Sequence, residues 1–321
     1  MKKQVGGLDS VGKRIFKVAV STVVFIGDWL WLHLRQVAGP KLPGTCVVLY
    51  YHAVPGDQRA NFARQMDVLL RLCKPVKSES TEPLGNGYHV AVVFHDAFVS
   101  VCDNALPELA KRGIHSTVFV PSGFLGQRQG WIKDSTHSDY QELVVDAARL
   151  KSFDEALVSI GSHTVTHANL SLLNEDAARD QLRRSKVELE AILGRPVNQF
   201  AFPYGGCTDA LTELAREVGY RRVFTIQPEL ALLKPDEFIT GSCPASPSDW
   251  GLEFRLKLLG AYRWLPSLYS MKRKLLFGAQ RRKKRDGSAS IENGRTLQGT
   301  DSPNSAKTPE AKIWQEPGRR Y

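Results

Sequence analysis

Between Leu42 and Pro244, short apolar runs alternate with stretches of helical spacing. Cys46–Tyr51 (CVVLYY), Val90–Phe94 (VAVVF), Ser116–Val120, Val158–Gly161, Gln199–Phe202 and Arg222–Thr225 read as strands of four to six residues. Asn61–Leu72 brings Phe62, Met66 and Leu69 to one helical face, and Ala105–Arg112 is closed by Gly113. Tyr140–Leu150 and Asp209–Val218 read as two further helices. Asn174 can cap a long helix to Leu193, in which Ala178, Leu182, Ser185, Leu189 and Ile192 step by four and three before Gly194. Repeated βα units predict an α/β fold with a parallel sheet, open or closed. In such folds ligands sit at the C-terminal ends of strands, so chemistry is expected just after each apolar run.

The two ends of the chain have a different pattern. Lys2, Lys3, Lys13, Arg14 and Lys17 precede an apolar run from Val18 to Ile26, which Asp28 interrupts before Trp29-Leu30-Trp31-Leu32. The uncharged run falls short of the ~20 residues that cross a bilayer. Including Asp28 in a span would cost about 2.5–3.5 kcal/mol. Residues 1–41 therefore read as a separate helical segment. It is either an amphipathic helix on a membrane surface or a helix packed against the body, with a signal anchor as a third reading. Beyond Leu252, a Leu-, Tyr-, Trp- and Arg/Lys-rich stretch broken at Pro266 predicts an amphipathic helical segment over 251–279. From residue 280 the chain runs RRKKR and then Ser, Gly, Asn, Thr and Pro, the composition of a disordered basic tail.

Charge sharpens this division. The 321 residues carry a formal charge of +10, with 43 Lys+Arg against 33 Asp+Glu. Residues 1–41 hold +5, residues 271–321 hold +8, and the body between them is −3. A near-neutral body argues against a nucleic-acid partner. The basic ends suit an anionic membrane surface and favour a membrane-associated or cell-envelope location over the alternative, a cytoplasmic one. The five cysteines are scattered without a CxxC, which predicts buried, reduced thiols.

Polar groups gather after the strands. His52 follows the first, and Phe94-His95-Asp96-Ala97-Phe98 the second. Gly161-Ser162-His163-Thr164-Val165-Thr166-His167 follows Val158–Gly161, and Phe202-Pro203-Tyr204-Gly205 follows the Gln199 strand. On a helical turn the i, i+4 spacing of His163 and His167 puts both imidazoles on one face, about 5–6 Å apart, within reach of one metal. Asp96 on a neighbouring strand completes a two-histidine, one-carboxylate set that suits zinc, or iron, cobalt or nickel.

With these segments together, residues 43–245 resemble the NodB-homology polysaccharide deacetylases of carbohydrate esterase family 4. Val93-Phe94-His95-Asp96-Ala97-Phe98 sits where that family has T-F-D-D-G/A-F/Y. Ser162 to His167 is similar to its two-histidine metal motif, which opens H-S/T, Phe202–Gly205 to its P-Y-G segment, and Val48–His52 to the strand-plus-YH opening of one branch. The resemblance implies a distorted (β/α) barrel of seven or eight strands and metal-dependent removal of acetyl groups from a carbohydrate or glycan-lipid. It implies Asp96, His163 and His167 as metal ligands, most simply of zinc, and a backbone N–H at Tyr204 facing the oxyanion. Pro203 and Trp131 are the expected substrate contacts.

Three positions depart from the family's pattern. The first Asp of the D-D pair, its general base, is His95 here. The Arg that many members place three residues before the P-Y-G tyrosine is Ala201. No histidine follows His167, where many members have a late L-x-H general acid, and Ser248-Asp249-Trp250 is similar only to their D-W pair. One group then has to take and return the proton, with His95 first and His52 second in line. The alternative is a catalytically impaired deacetylase fold that binds glycan or acts as a scaffold.

Overall fold

Period-two alternation explains how the body folds. Along Thr45–Tyr51 (β1), Cys46, Val48 and Tyr50 belong to one buried cluster, while Val47, Leu49 and Tyr51 belong to another. Tyr88–Phe94 (β3) divides in the same way, with Ala91 and Val93 on one side and Val90, Val92 and Phe94 on the other. A strand buried on both faces is the signature of a parallel sheet with helices outside and a second packed layer within. The computed structural model describes residues 5–36 and 44–268, with side chains within 11–31 and 44–268.

The other strands are Lys74–Pro75 (β2), Ser116–Val120 (β4), Val158–Ser162 (β5), Gln199–Ala201 (β6), Arg222–Thr225 (β7), Ile239–Gly241 (β8) and Cys243–Pro244 (β9). They form one parallel sheet in the order β8-β7-β6-β5-β4-β3-β1-β9, and β2 pairs with β3 beside that path. The two ends of the order, β8 and β9, are consecutive in the chain with Ser242 between them. One extended segment thus bonds to β7 on one side (Val223 with Ile239) and to β1 on the other (Leu49 with Cys243). The sheet curls until its edges nearly meet, which is the expected distorted (β/α) barrel. Gly161 permits the tight interior, because a Cβ there would lie 2.4 Å from the Phe119 ring.

The helices are Val5–Gln36 (α1), Arg59–Leu72 (α2), Leu106–Ala110 (α3), Ala147–Lys151 (α4), Glu175–Leu193 (α5), Asp209–Glu217 (α6) and Gly251–Leu258 (α7). α5 follows the sequence reading closely: the Asn174 side chain accepts from Ala177 N, Gly194 adopts φ 70°, and Ala178, Leu182, Ser185 and Leu189 are buried. The predicted helix over Tyr140–Leu150 is a correction, since only Ala147–Lys151 is helical. Val144 and Val145 are buried, and their backbone N–H groups donate to Gln127 O and Ala97 O, so this stretch is held extended.

The N-terminal segment packs against the body. Arg14 donates to Glu253 at 2.6 Å and to Ser248 O at 2.8 Å, and stacks 4.3 Å above the Trp250 ring. Trp264 Nε1 donates to Ser21 at 2.9 Å, and Arg263 pairs with Asp28. α7 lies between α1 and the barrel, which explains why Glu253 and Lys257 are buried along with Phe254, Leu256 and Leu258. The described break in this segment falls at Gly260 (φ 71°), ahead of Pro266. Among the described residues no helix is long and apolar enough to cross a membrane. The predicted tail over 280–321, and residues 269–279 before it, lie outside the described residues. All five cysteines are free, and burial pushes the Cys46 thiol up to about 12.

Candidate metal and active site

The alternation that builds the barrel interior also supplies its mouth. Tyr50, Val93 and Gly161 occupy interior-facing positions, and two residues further along each strand come His52, His95 and His163. All three line one small cavity at the C-terminal ends of the strands, with Asp96, His167, Trp131 and Tyr204. His95 stacks on Tyr50 with ring centroids 4.8 Å apart and lies 5.0 Å from the His163 ring. His52 meets the edges of Tyr50 and His95, both at 5.5 Å.

Asp96 is aimed by an unusual backbone. It has φ 72° and Ala97 has φ 53°, both in the left-handed region that non-glycine residues rarely adopt. Such a conformation costs of order 1–3 kcal/mol and persists only where the surroundings hold it. Here Val145 N donates to Ala97 O at 3.0 Å, and His95 N to Tyr51 O at 2.9 Å.

His163 and His167 do meet on one point, but the predicted helical turn is a correction. Residues 163–169 form a loop, with Thr164 at φ 66° and His167 at φ 54°. Gln181, reaching in from α5, shapes it: its side-chain oxygen accepts from Val165 N and Thr166 N, each at 3.0 Å. Gly123 N donates to Val165 O, and the same carbonyl would lie 2.8 Å from a Cβ at position 123. Reading the sequence missed Gln181, because a polar residue on a helix gives no sign of the loop it serves.

Asp96, His163 and His167 each offer a ligand atom, and these atoms all lie within 4.8 Å of one another. Asp96 Oδ1 is 3.1 Å from His167 Nε2 and 3.6 Å from His163 Nε2. His163 Nδ1 donates to Ala201 O at 2.7 Å, which leaves the lone pair on Nε2. His167 Nδ1 lies 3.1 Å from the Tyr204 hydroxyl. A carboxylate and two imidazoles then point acceptor atoms at a common centre, an arrangement a cation relieves and the donor set of a divalent-metal site. The electrostatics agree. Burial opposes ionisation of Asp96, but His167, His52 and His163 outweigh it and hold the carboxyl well below the usual range. Burial, with His167 and His95 nearby, pushes His163 well below its ordinary value, so it is neutral at pH 7. These are the protonation states that ligands require. The group does not include His95.

Tyr204 has φ 56°, on a turn that begins at Pro203. Pro203 is buried at the start of that turn and does not line the cavity. Trp131 does: it stacks on His167 with centroids 4.2 Å apart and on Phe98 at 6.1 Å, so it both packs and lines the site. Asp249 sits elsewhere, buried beside Lys257 at 2.8 Å in the α1–α7 seam.

Comparison with known proteins agrees with this geometry. The polysaccharide deacetylase family model matches residues 85–223. The protein YxkH of Bacillus subtilis (strain 168), whose name assigns it provisionally to the polysaccharide deacetylases, is 21% identical over 173 residues. That match covers 54% of this chain and 55% of YxkH, so the chain spans about half the length of this curated relative. IcaB from Ammonifex degensii superposes with a TM-score of 0.56 at 24% identity, covering 68% of this chain and 98% of IcaB. BC0361, a polysaccharide deacetylase from Bacillus cereus, gives 0.54 at 22%, covering 67% and 69%. A de-N-acetylase from Aggregatibacter actinomycetemcomitans gives 0.54 at 14%, covering 66% and 99%. At these identities the solved structures speak for the fold.

Proposed function

Because residues 85–223 match the polysaccharide deacetylase family model, we propose that the chain is a metal-dependent hydrolase that removes N-acetyl or O-acetyl groups from a carbohydrate. The observation that carries this reading is the convergence of Asp96, His163 and His167 within 4.8 Å at the mouth of the barrel. Zinc suits one carboxylate and two imidazoles best. When bound, the metal polarises the acetyl carbonyl and lowers the pKa of the attacking water.

The chain's own groups do the rest. His95 lies inside the mouth and outside the ligand group, which suits a proton carrier. A ring nitrogen takes a proton from the attacking water and returns it to the departing sugar nitrogen or oxygen. His52, 4.0 Å from Asp96 Oδ2, is the second such group. The Tyr204 N–H, set by the turn that Pro203 begins, faces the oxyanion. Trp131 offers an aromatic wall against which a sugar ring can pack. Ala201 fits this arrangement: a neutral imidazole base needs no arginine to orient it, and the Ala201 carbonyl fixes His163.

The test is metal analysis combined with acetate release from N-acetylglucosamine oligomers and other acetylated glycans. Bound metal and released acetate, with acetate lost and metal kept in His95→Ala, are expected. Metal without acetate in the wild type would favour a glycan-binding role. Activity gained in His95→Asp would then trace the silence to His95. Neither metal nor acetate would overturn the reading.

A further inference from the structure

α1 has two apolar faces, and the barrel uses one. Val18, Ser21, Phe25 and Asp28 turn inward, where Ser21 is fully buried and Val18 and Phe25 pack on the core. At 100° per residue, Ile15, Ala19, Val23, Ile26 and Leu30 centre on the opposite side. There Ile15 is 53% exposed, Val23 69%, Ile26 48% and Leu30 49%. No charged residue interrupts this stripe, since the acid in the helix's middle, Asp28, turns inward to Arg263. A continuous exposed apolar face of this length marks a docking surface.

We propose that the outer face of α1 docks the protein, lengthwise, on a lipid bilayer rich in anionic headgroups. Charge selects this occupant. Residues 1–41 carry +5. The last described residue, Leu268, lies four positions beyond Trp264, which is hydrogen-bonded to Ser21 in the middle of α1. From there the chain continues into Lys272, Arg273, Lys274 and the run Arg281–Arg285, eight basic residues with no acid among them. Cationic segments are thus tethered at the start and the middle of an apolar stripe, the combination that binds anionic membranes. A second copy would bring the same positive segments together, which opposes pairing through this face.

The placement has a geometric consequence. Arg14 meets Ser248 and Glu253 near the mouth, just past β9, whereas Asp28 meets Arg263 towards the opposite end of the barrel. α1 therefore runs alongside the barrel, outside α7. A bilayer along its outer face leaves the mouth opening sideways, near the plane of the headgroups.

Flotation of the full-length chain with phosphatidylcholine vesicles, with and without phosphatidylglycerol, tests this. Binding is expected to the anionic vesicles, falling as salt is raised. In Val23→Glu/Ile26→Glu it should weaken at least ~10-fold with unchanged thermal unfolding, since both side chains point to solvent. Three results would overturn the proposal. One is no uptake by anionic vesicles. Another is equal uptake of wild type and double variant. The third is a dimer in solution that the double variant splits, with vesicles left bare. Acetate release from a soluble glycan is a separate readout, so failure here leaves the deacetylase reading standing.

Discussion

The two ends of the barrel place buried polar side chains in opposite ways. At the N-terminal end one network of them is bonded together, beside Ser116 Oγ and the Nδ1 atoms of His89 and His115, which have no hydrogen-bond partner. Ser78 meets Thr117 at 2.7 Å and Gln199 at 2.6 Å, and Glu79 accepts from Gln199 and Ser159. Arg222 donates to the carbonyls of Ser78, Ser80 and Glu237. At the C-terminal end, Asp96, His163 and His167 aim acceptor atoms at one point. Backbone strain follows the same division: among the described residues, five of the six non-glycine residues with positive φ are Asp96, Ala97, Thr164, His167 and Tyr204. The Ser78–Glu79–Gln199–Arg222 bonds hold strands together, whereas strained, converging acceptors are poised for a ligand.

If the comparison is right, damage at each end has a different signature. The largest effect is expected for His163→Ala: loss of bound metal and a drop of about 1,000-fold or more in acetate release. Retained metal by elemental analysis would break the contrast. Arg222→Met should do the reverse. It leaves three carbonyls without their donor, so unfolding free energy should fall by about 3 kcal/mol while metal content stays at the wild-type level. Denaturant melts alongside metal analysis read both. Tyr204→Phe removes the hydroxyl beside His167 Nδ1 and should weaken metal affinity about 10-fold, measurable by competition with a chelator. Unchanged affinity would mean that the hydroxyl does not orient the ligand.

The smallest effect concerns pH in chelator-treated protein. The unfolded chain takes up a proton on His163 near its ordinary pKa of about 6.5. In the folded protein burial pushes that value well down. The stabilising contribution is therefore complete above about 6.5. It is lost as pH falls towards the depressed folded value, by at most about 1.4 kcal/mol per pH unit. His163→Asn should flatten that slope, and an equally steep slope in the variant would assign it to another group.

Legibility was uneven for physical reasons. α5 was readable to its caps because Asn174 and Gly194 act within one turn of their own positions. The Tyr140–Leu150 stretch was misread because the partners of Val144 and Val145 lie in the loops at Gln127 and Ala97. β8 and β9 went unnoticed, since three- and two-residue strands carry little periodic signal. The i, i+4 spacing of His163 and His167 pointed to a shared centre, but by a helix that does not form. The loop's path depends instead on Gln181 and Gly123.

The sequence alone determined the α/β alternation, the strands β1 and β3 to β7, and the polar residues that follow them. Local spacing and side-chain type suffice for these, because period-two burial and helix caps are short-range effects. It also marked the ends of the chain as basic and the body as near-neutral. Only the tertiary structure decided how Ile239–Pro244 bonds both edges of the sheet, and which polar groups converge within 4.8 Å and which stay outside that cluster. It also decided that α1 turns one apolar face to α7 and leaves the other to solvent. Each of these depends on where distant segments meet, and a linear pattern holds no record of that until the barrel curls.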